Sequence, residues 1–521
     1  MKNYSSDTKG ITKENAKGFE ELMIARHGKP QAPEVVKYMY APILPPEKET
    51  FFGHNKCNLA QAIMLMEEKL LSRKDAAGIC KVCLKIDELG PDRFPFDPKL
   101  GMAFFNYESY MTDILGHDVA GRLHIGRSRI DYNTASARIS VRENLRKLLF
   151  KLLDFRKTLI EIADANKDTL MPGYTHMQSA QPTTYAEYLL SLSGALKRSY
   201  DRLLFAYNQH NISPLGSAAT AGTAWPLNRE RLADLLGFKG VMENDHDAGQ
   251  QYDNLLAITG ATNTLMSTMN RFCTDLYIWC SNEFNLVELD GAFAGTSSIM
   301  PQKKNPYPIE VAIGRAGEVS GFYIAMLNTL VGGTSGFPIM RYAGEPYCNK
   351  SMQYAWDVLD MMEPVMKTLI LKKDRMEELA GDYFAQSVEL ADVITRKTGL
   401  AFRYSHLILG NIVKYCYANG LKPKDVDLAM VKMIADAEGH DISGLTEEDV
   451  KEAMDCRHFI ESRDKIGGPA PSSTAKQVEH QNADLQKDSD ELKAEQKRID
   501  ACNGELYGIA RELAAECEIP V

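Results

Sequence analysis

Apolar residues that return every three or four positions, over stretches of more than two dozen residues, limit this chain more than any other feature. From Leu255 the stripe runs through Ile258, Leu265, Met269, Phe272, Leu276 and Trp279, with Thr262 filling one slot. Val141, Leu145, Leu148, Leu152, Phe155 and Leu159 repeat the pattern within 131–166, and a third run covers Tyr185 to His210. This spacing lays one apolar face along a helix. A helix over Tyr252–Leu286 would reach roughly 50 Å, at about 1.5 Å per residue. Helices that long outgrow a compact core and cover their faces by bundling, within one chain or between copies. Strand alternation and hairpin dipeptides are scarce, so the expected fold is all-α.

Pro and Gly clusters punctuate the pattern. MPGY (171–174), SPLGSAATAGTAWP (213–226) and VGGTSGFP (331–338) read as connectors between long helices. Near the C-terminal end Val478, Leu485, Leu492, Ile499, Leu506 and Leu513 recur at intervals of seven. Their intervening half-positions are mostly polar until Ile509. That is half a coiled-coil seam, which predicts a helix docked on its own protein and not a free zipper.

At 521 residues the chain exceeds one ordinary core, and two to four domains are expected. The net charge of −10 argues against a surface that coats nucleic acid. No uninterrupted apolar run approaches the ~20 residues needed to cross a bilayer, so no membrane partner is expected. The opening MKNYSSDTKGITKENAKGFEEL lacks a secretory apolar stretch. Ten scattered cysteines suit a reducing compartment, and the expected location is cytoplasmic. Cys80 and Cys83 form a C-x-x-C with no second Cys/His pair at zinc spacing. They read as helix residues, so no metal is expected.

One loop carries more chemistry than a connector needs. GTSSIMPQKKNP (295–306) combines hydroxyls, a Met-Pro step, adjacent lysines and an Asn-Pro stop. Proline interrupts helices, and paired ammonium groups do not enter cores. This run resembles the signature loop of the aspartase/fumarase superfamily, with Thr296 in place of a small residue before the serines. GRLHIGRSRID (121–131), MPGYTHMQSAQPTTYAEYLL (171–190), SPLGSAATAGTAWPLNRERLADLLGF (213–238) and GGPAP (467–471) resemble the argininosuccinate lyase branch.

The resemblance implies an enzyme that breaks a carbon–nitrogen bond in a substituted succinate and releases fumarate, without a cofactor. Ser297 then matches the catalytic serine, which acts ionised as the base. A loop can stabilise that alkoxide through backbone N–H groups, and Lys303 adds positive charge. Lys303 and Asn305 match the pair that holds the carboxylate of the dianionic intermediate, beside Ser298. His176 matches a histidine near the leaving nitrogen, and Glu310 the glutamate that orients it; neutral-range titration suits His to proton transfer. Thr175 and Gln178 are substrate hydrogen-bonders by analogy, although Gln178 reads equally well as a helix-start residue. Ser128 and Arg129 match a carboxylate clamp, since an Arg fork takes a carboxylate bidentately. Pairing of these charges with Asp131 or Glu143 is the plain structural alternative. Tyr342 and Lys350 fall at the spacing of two further substrate contacts. Gly291 and Gly295 are the expected hinges of a mobile loop.

The resemblance also implies three helical domains, at 1–116, 117–370 and 371–521, and a tetrameric helix-bundle core with active sites shared between copies. Four departures bear on the substrate. Ile130 stands where argininosuccinate lyases typically carry asparagine. AGQQYDN (248–254) puts Gln250 in place of a usual arginine, and a further substrate glutamine falls on Tyr347. FFNYESYMTDILG (104–116) lacks the usual Glu-Asp-Ile-His. Ethylenediamine-disuccinate lyases resemble the chain in AATAGTAWPL (218–227), the signature loop and GGPAP. The expected substrate is therefore a dicarboxylate amine of the aminopolycarboxylate type, with argininosuccinate second. A crystallin-like structural role is the alternative of another class.

Overall fold

A computed structural model describes residues 31–331, 333–336 and 339–519. It is overwhelmingly helical, with two short two-stranded sheets. An N-terminal group comprises α1 (Ala41–Glu49), α2 (Phe51–Glu67), α3 (Arg73–Arg93) and α4 (Ala103–Leu115). The central bundle consists of α5 (Arg129–Asp164), α6 (Tyr185–His210), α8 (Asp253–Trp279), α9 (Tyr307–Leu330) and α10 (Ile339–Thr368), with the short α7 (Asp245–Gln250) before α8. A separate group follows in α11 (Val388–Thr398), α12 (Phe402–Asn419), α13 (Leu428–Ala437) and α14 (Glu447–Ala453). The long α15 (Pro471–Ala515) completes the chain.

Local chemistry fixes where the bundle helices begin. Ser128 caps α5, and Asp131 in turn accepts from the Ser128 N–H, a reciprocal box that satisfies two free helix-end donors. Thr184 caps α6 by accepting from the Glu187 N–H. The apolar stripes of α5, α6, α8, α9 and α10 then close on one core, which includes Leu148, Leu196, Leu265, Val319 and Leu359. A second core joins α2–α4 to the first turns of α5, and a third lies within 384–454. Cys80 and Cys83 are buried in the second core, where burial pushes the Cys80 thiol up to about 12.

The seven-residue seam is a docking face. Val478, Leu485 and Leu492 of α15 enter the bundle core, and Leu506, Ala510 and Leu513 enter the N-terminal one. Beside them Asp488 meets the buried Arg156 of α5 and Lys197 of α6, each at 3.3 Å.

Two sequence expectations shift. The helix expected over 252–286 ends at Trp279, because the Ser281 hydroxyl donates to the Ile278 carbonyl and accepts from the Phe284 N–H, turning the chain. MPGY is a strand and not a plain connector: β1 (Leu170–Thr175) pairs antiparallel with β2 (Gln178–Thr184). VGGTSGFP lies partly outside the described residues. No helix among the described residues is long and apolar enough to cross a membrane.

One face of α9 is left open. Val311, Ile324 and Leu327 are exposed along it, interleaved with Gly314, Gly317 and Gly321, where an added Cβ would meet nothing within 4 Å. Glycine inside a helix costs roughly 0.5–1 kcal/mol against alanine.

Candidate active site

The functional side chains cluster at three places, each where the chain enters or leaves a bundle element. The first is the start of α5. Ser128 Oγ accepts from the Ile130 N–H at 3.3 Å. Asp131, fully buried, takes the Ser128 and Tyr132 N–H groups on one oxygen and those of Gly216 and Ala218 on the other. It thereby welds the helix start to the 213–226 connector. Arg129 is not tied up by the acids near it in sequence: Asp131 is committed to backbone, and Glu143 pairs with Arg146 and Arg142. Its exposed guanidinium lies 5.1 Å from the centre of the Phe105 ring.

The second is the tip of the β1–β2 hairpin. The register pairs Thr175 with Gln178 and leaves His176 and Met177 as a two-residue turn. Both have positive φ, 55° and 58°, the signature of a turn usually built from Asn-Gly. Holding a histidine there costs about 1–3 kcal/mol, a strain typical of functional positions. Tyr174 packs edge-on against Phe284, 5.6 Å between centres, which fastens the hairpin while Thr175 to Gln178 stay exposed. Gln178 opens a strand, not a helix, and its amide donates to the Met177 carbonyl.

The third is the signature loop. Gly295 and Asn305 exchange backbone hydrogen bonds of 2.8 and 3.0 Å, closing the loop at its base. The Tyr307 ring lies so close that a Cβ on Gly295 would fall 2.1 Å from it. Gly295 is thus a pinned point, contrary to the hinge expected there; Gly291 has open space. Within the loop, Ser297 Oγ accepts from the Met300 N–H at 3.1 Å and the Ile299 N–H at 3.4 Å. The two lysines divide the work. Lys304 pairs with Glu288, which Lys372 also meets at 2.5 Å, and these cations hold the Glu288 carboxyl down at about 2. Among the described residues no ion pair or side-chain hydrogen bond engages Lys303. Ser298 is exposed, and Asn305 Nδ2 lies 3.5 Å from the Tyr307 hydroxyl. Glu310, in the first turn of α9, is exposed and, among the described residues, likewise has no side-chain partner.

Two further positions lie on α10. Tyr342 accepts a hydrogen bond from Asn133, one turn beyond Ile130, so it joins the α5 cluster. Lys350 is exposed, its ammonium 5.4 Å from the Phe322 ring centre. Tyr347 stacks on the same Phe322. The sequence departures at 130 and 248–254 are neighbours in space: Ile130 Cγ2 comes within 3.0 Å of where a Cβ on Gly249 would sit. Gln250, buried beside it, donates to the Ala219 carbonyl at 3.2 Å.

One subunit thus unites Ser128, Ile130 and Tyr342. No hydrogen bond or ion pair among the described residues joins His176 to Ser297, Lys303 or Glu310. Sequence reasoning named Asp131 only as a charge partner of the Ser128–Arg129 pair, although Ser128 with an acid three residues on is a readable capping box. It missed Glu288 and Phe105, which no local pattern marks.

Comparisons with known proteins decide the family. A lyase family model matches residues 47–321, and a model of the argininosuccinate lyase C-terminal region matches 384–461. The chain is 34% identical over 490 residues to an argininosuccinate lyase of Methanosarcina acetivorans, covering 94% of this chain and 99% of the relative. The chain belongs to the aspartase/fumarase superfamily, in its argininosuccinate lyase branch. It is a carbon–nitrogen lyase. A Methanocaldococcus jannaschii argininosuccinate lyase is 35% identical to this lyase over 433 residues, 83% of this chain and 88% of the relative. Among solved structures, an EDDS lyase in complex with formate superposes with a TM-score of 0.84 at 29% identity, covering 93% of this lyase and 96% of that chain. A Pseudomonas putida 3-carboxy-cis,cis-muconate lactonizing enzyme shares the fold at TM-score 0.67 and 18% identity, over 87% of this chain and 99% of that one.

Proposed function

We propose that this lyase eliminates an amine from an N-(1,2-dicarboxyethyl) substrate and releases fumarate, reversibly, through Ser297 as base. The observation that carries the reading is the Ser297 hydroxyl: it receives two backbone N–H groups, with the uncommitted Lys303 six residues on in the same loop. Donors fixed before charge develops are worth most, about 2.7–4 kcal/mol for each one removed in related oxyanion sites. The ionised Ser297 takes the proton from the carbon beside a carboxylate. The electron pair moves into that carboxylate, giving a dianion that Lys303 and Asn305 hold. The pair then returns to form the double bond as the C–N bond breaks, and the departing nitrogen takes its proton from His176, oriented by Glu310. Ser128, Arg129 and Tyr342 bind the other carboxylate end, with Thr175, Gln178, Ser298 and Lys350 as further contacts.

Among the described residues His176, Lys303 and Glu310 have no ion pair or side-chain hydrogen bond within one subunit, and the open glycine-lined face of α9 calls for a second helix. Both support a homotetramer whose active sites collect segments from several copies.

For the amine, argininosuccinate is the first substrate to assay, since named argininosuccinate lyases match nearly the whole chain. An aminopolycarboxylate is the second reading. It is favoured by Ile130 on Gly249 and by Gln250 turned to Ala219, which put apolar and committed groups where the branch usually has free polar ones. Purified protein incubated with argininosuccinate should release fumarate and arginine, with Ser297→Ala silent. If arginine is not released, fumarate consumption with a panel of amines decides the second reading; failure of both overturns the proposal.

A further inference from the structure

The signature loop and the His176 hairpin stand on one stretch of chain, residues 370–380. On the loop side, β4 (Ile370–Leu371) pairs antiparallel with β3 (Val287–Glu288), and the Lys372 N–H donates to the Leu286 carbonyl at 2.9 Å. The Lys372 ammonium meets one oxygen of Glu288 at 2.5 Å, while Lys304 of the loop takes the other. The stretch thus reaches the loop through one shared carboxylate.

On the hairpin side, the helix Lys373–Ala380 packs along β1. Ala380 shares a small core with Leu170, the first residue of β1, and with Phe459 and Ile460. Arg375 Nε donates to the Phe284 carbonyl at 3.5 Å, and Nη1 to Glu378 at 2.7 Å. The Phe284 ring stands edge-on to Tyr174, two residues before His176. Burial raises the Tyr174 hydroxyl and the Arg375 charge opposes that rise, so the guanidinium lies near this tyrosine as well.

Both supports fall where the chain cannot hold itself. Two-stranded pairing is marginal by itself, and β3 and β4 are two residues each, so the bridge from Lys372 through Glu288 to Lys304 supplies the lock. The hairpin tip carries two residues at positive φ, and such a backbone persists only where its surroundings over-determine it. Phe284, Arg375 and Ala380 are what surrounds its base.

We infer that Lys372 and Arg375 are positioning residues, Lys372 for the Ser297 loop through Glu288, and Arg375 for the His176 hairpin through Phe284 and Tyr174. Their part in the reaction rests on the lyase reading above.

The test uses Lys372→Met and Arg375→Met in the full-length protein. The two side chains are 34% and 35% exposed, so neither change leaves a buried charge unpaired. Hydrogen exchange read by mass spectrometry should quicken over 295–306 in Lys372→Met alone and over 170–184 in Arg375→Met alone. In fumarate release each variant should lose about tenfold in kcat with KM unmoved, and Lys372→Arg and Arg375→Lys should restore most of it. In a His176→Asn background Arg375→Met should cost nothing further, whereas Lys372→Met should still cost its full factor. Unchanged exchange in either segment, a loss confined to KM, or an equal loss from Arg375→Met with and without His176 overturns the inference and leaves the lyase reading standing. A wild-type protein that turns over no substrate overturns the lyase reading instead, and exchange then decides the two supports by itself.

Discussion

The bundle interior and the ends of the bundle both carry charge, but they treat it differently. Inside, Arg142 donates to Asn211 and to the Leu236 and Gly237 carbonyls, and Arg156 meets Asp488 at 3.3 Å. At the ends, Arg129, His176, Lys303 and Glu310 are exposed and, among the described residues, have neither ion pairs nor side-chain hydrogen bonds within the subunit. His176 adds an unfavourable backbone conformation. Buried charges without partners would unfold the protein. Exposed ones cost little and remain available to substrate or to another copy. Stability and chemistry are therefore separable here, and substitutions in the two regions should fail in different ways.

The largest effect is expected at the loop. Ser297→Ala should lower kcat about 10⁴-fold, about 5.5 kcal/mol at 1.36 kcal/mol per decade, with an unchanged melting curve; a matching loss of stability would erase the contrast. Asp488→Ala should do the reverse. Leaving Arg156 buried and unpaired costs about 3–5 kcal/mol in denaturant unfolding, while kcat per folded molecule holds. His176→Gly sharpens the comparison, because it should lower kcat about 10²-fold yet raise stability by about 1 kcal/mol as the left-handed strain is released. Glu288→Gln is the mildest: it frees Lys304, and activity should fall several-fold with stability unmoved. The same tether predicts a pH window. Glu288 is held below its ordinary value of 4.5, at about 2, so the contribution is whole above about pH 4.5 and is lost as pH falls towards 2. Protease cutting within 296–304 should rise over that interval.

Much of this was legible in the chain. The 3.6-residue stripes gave α5 and α6 almost to the residue, since continuous apolar faces leave no other solution. The end of α8 was not legible: apolar residues continue to Leu286, and only the Ser281 hydroxyl bonds break the helix. The hairpin was hidden because Pro172 and Gly173 read as a breaker, while its burial is not a clean alternation. Of the site, the loop motif marked Ser297, Lys303 and Asn305. The tertiary devices that hold it, Glu288 on Lys304 and Tyr307 on Gly295, carry no local signature. The departures at Ile130 and Gln250 were visible as departures, but that they touch one another belongs to three dimensions.

In the proposed assembly, half-sites on one subunit become whole between copies. Mixing Ser297→Ala with His176→Asn after partial unfolding, then refolding them together, tests it most directly. Each variant alone should be folded and nearly inactive, and the mixture should regain a substantial fraction of wild-type fumarate release as intact loops meet intact hairpins. A mixture that forms tetramers yet stays as inactive as its parents would contradict the claim.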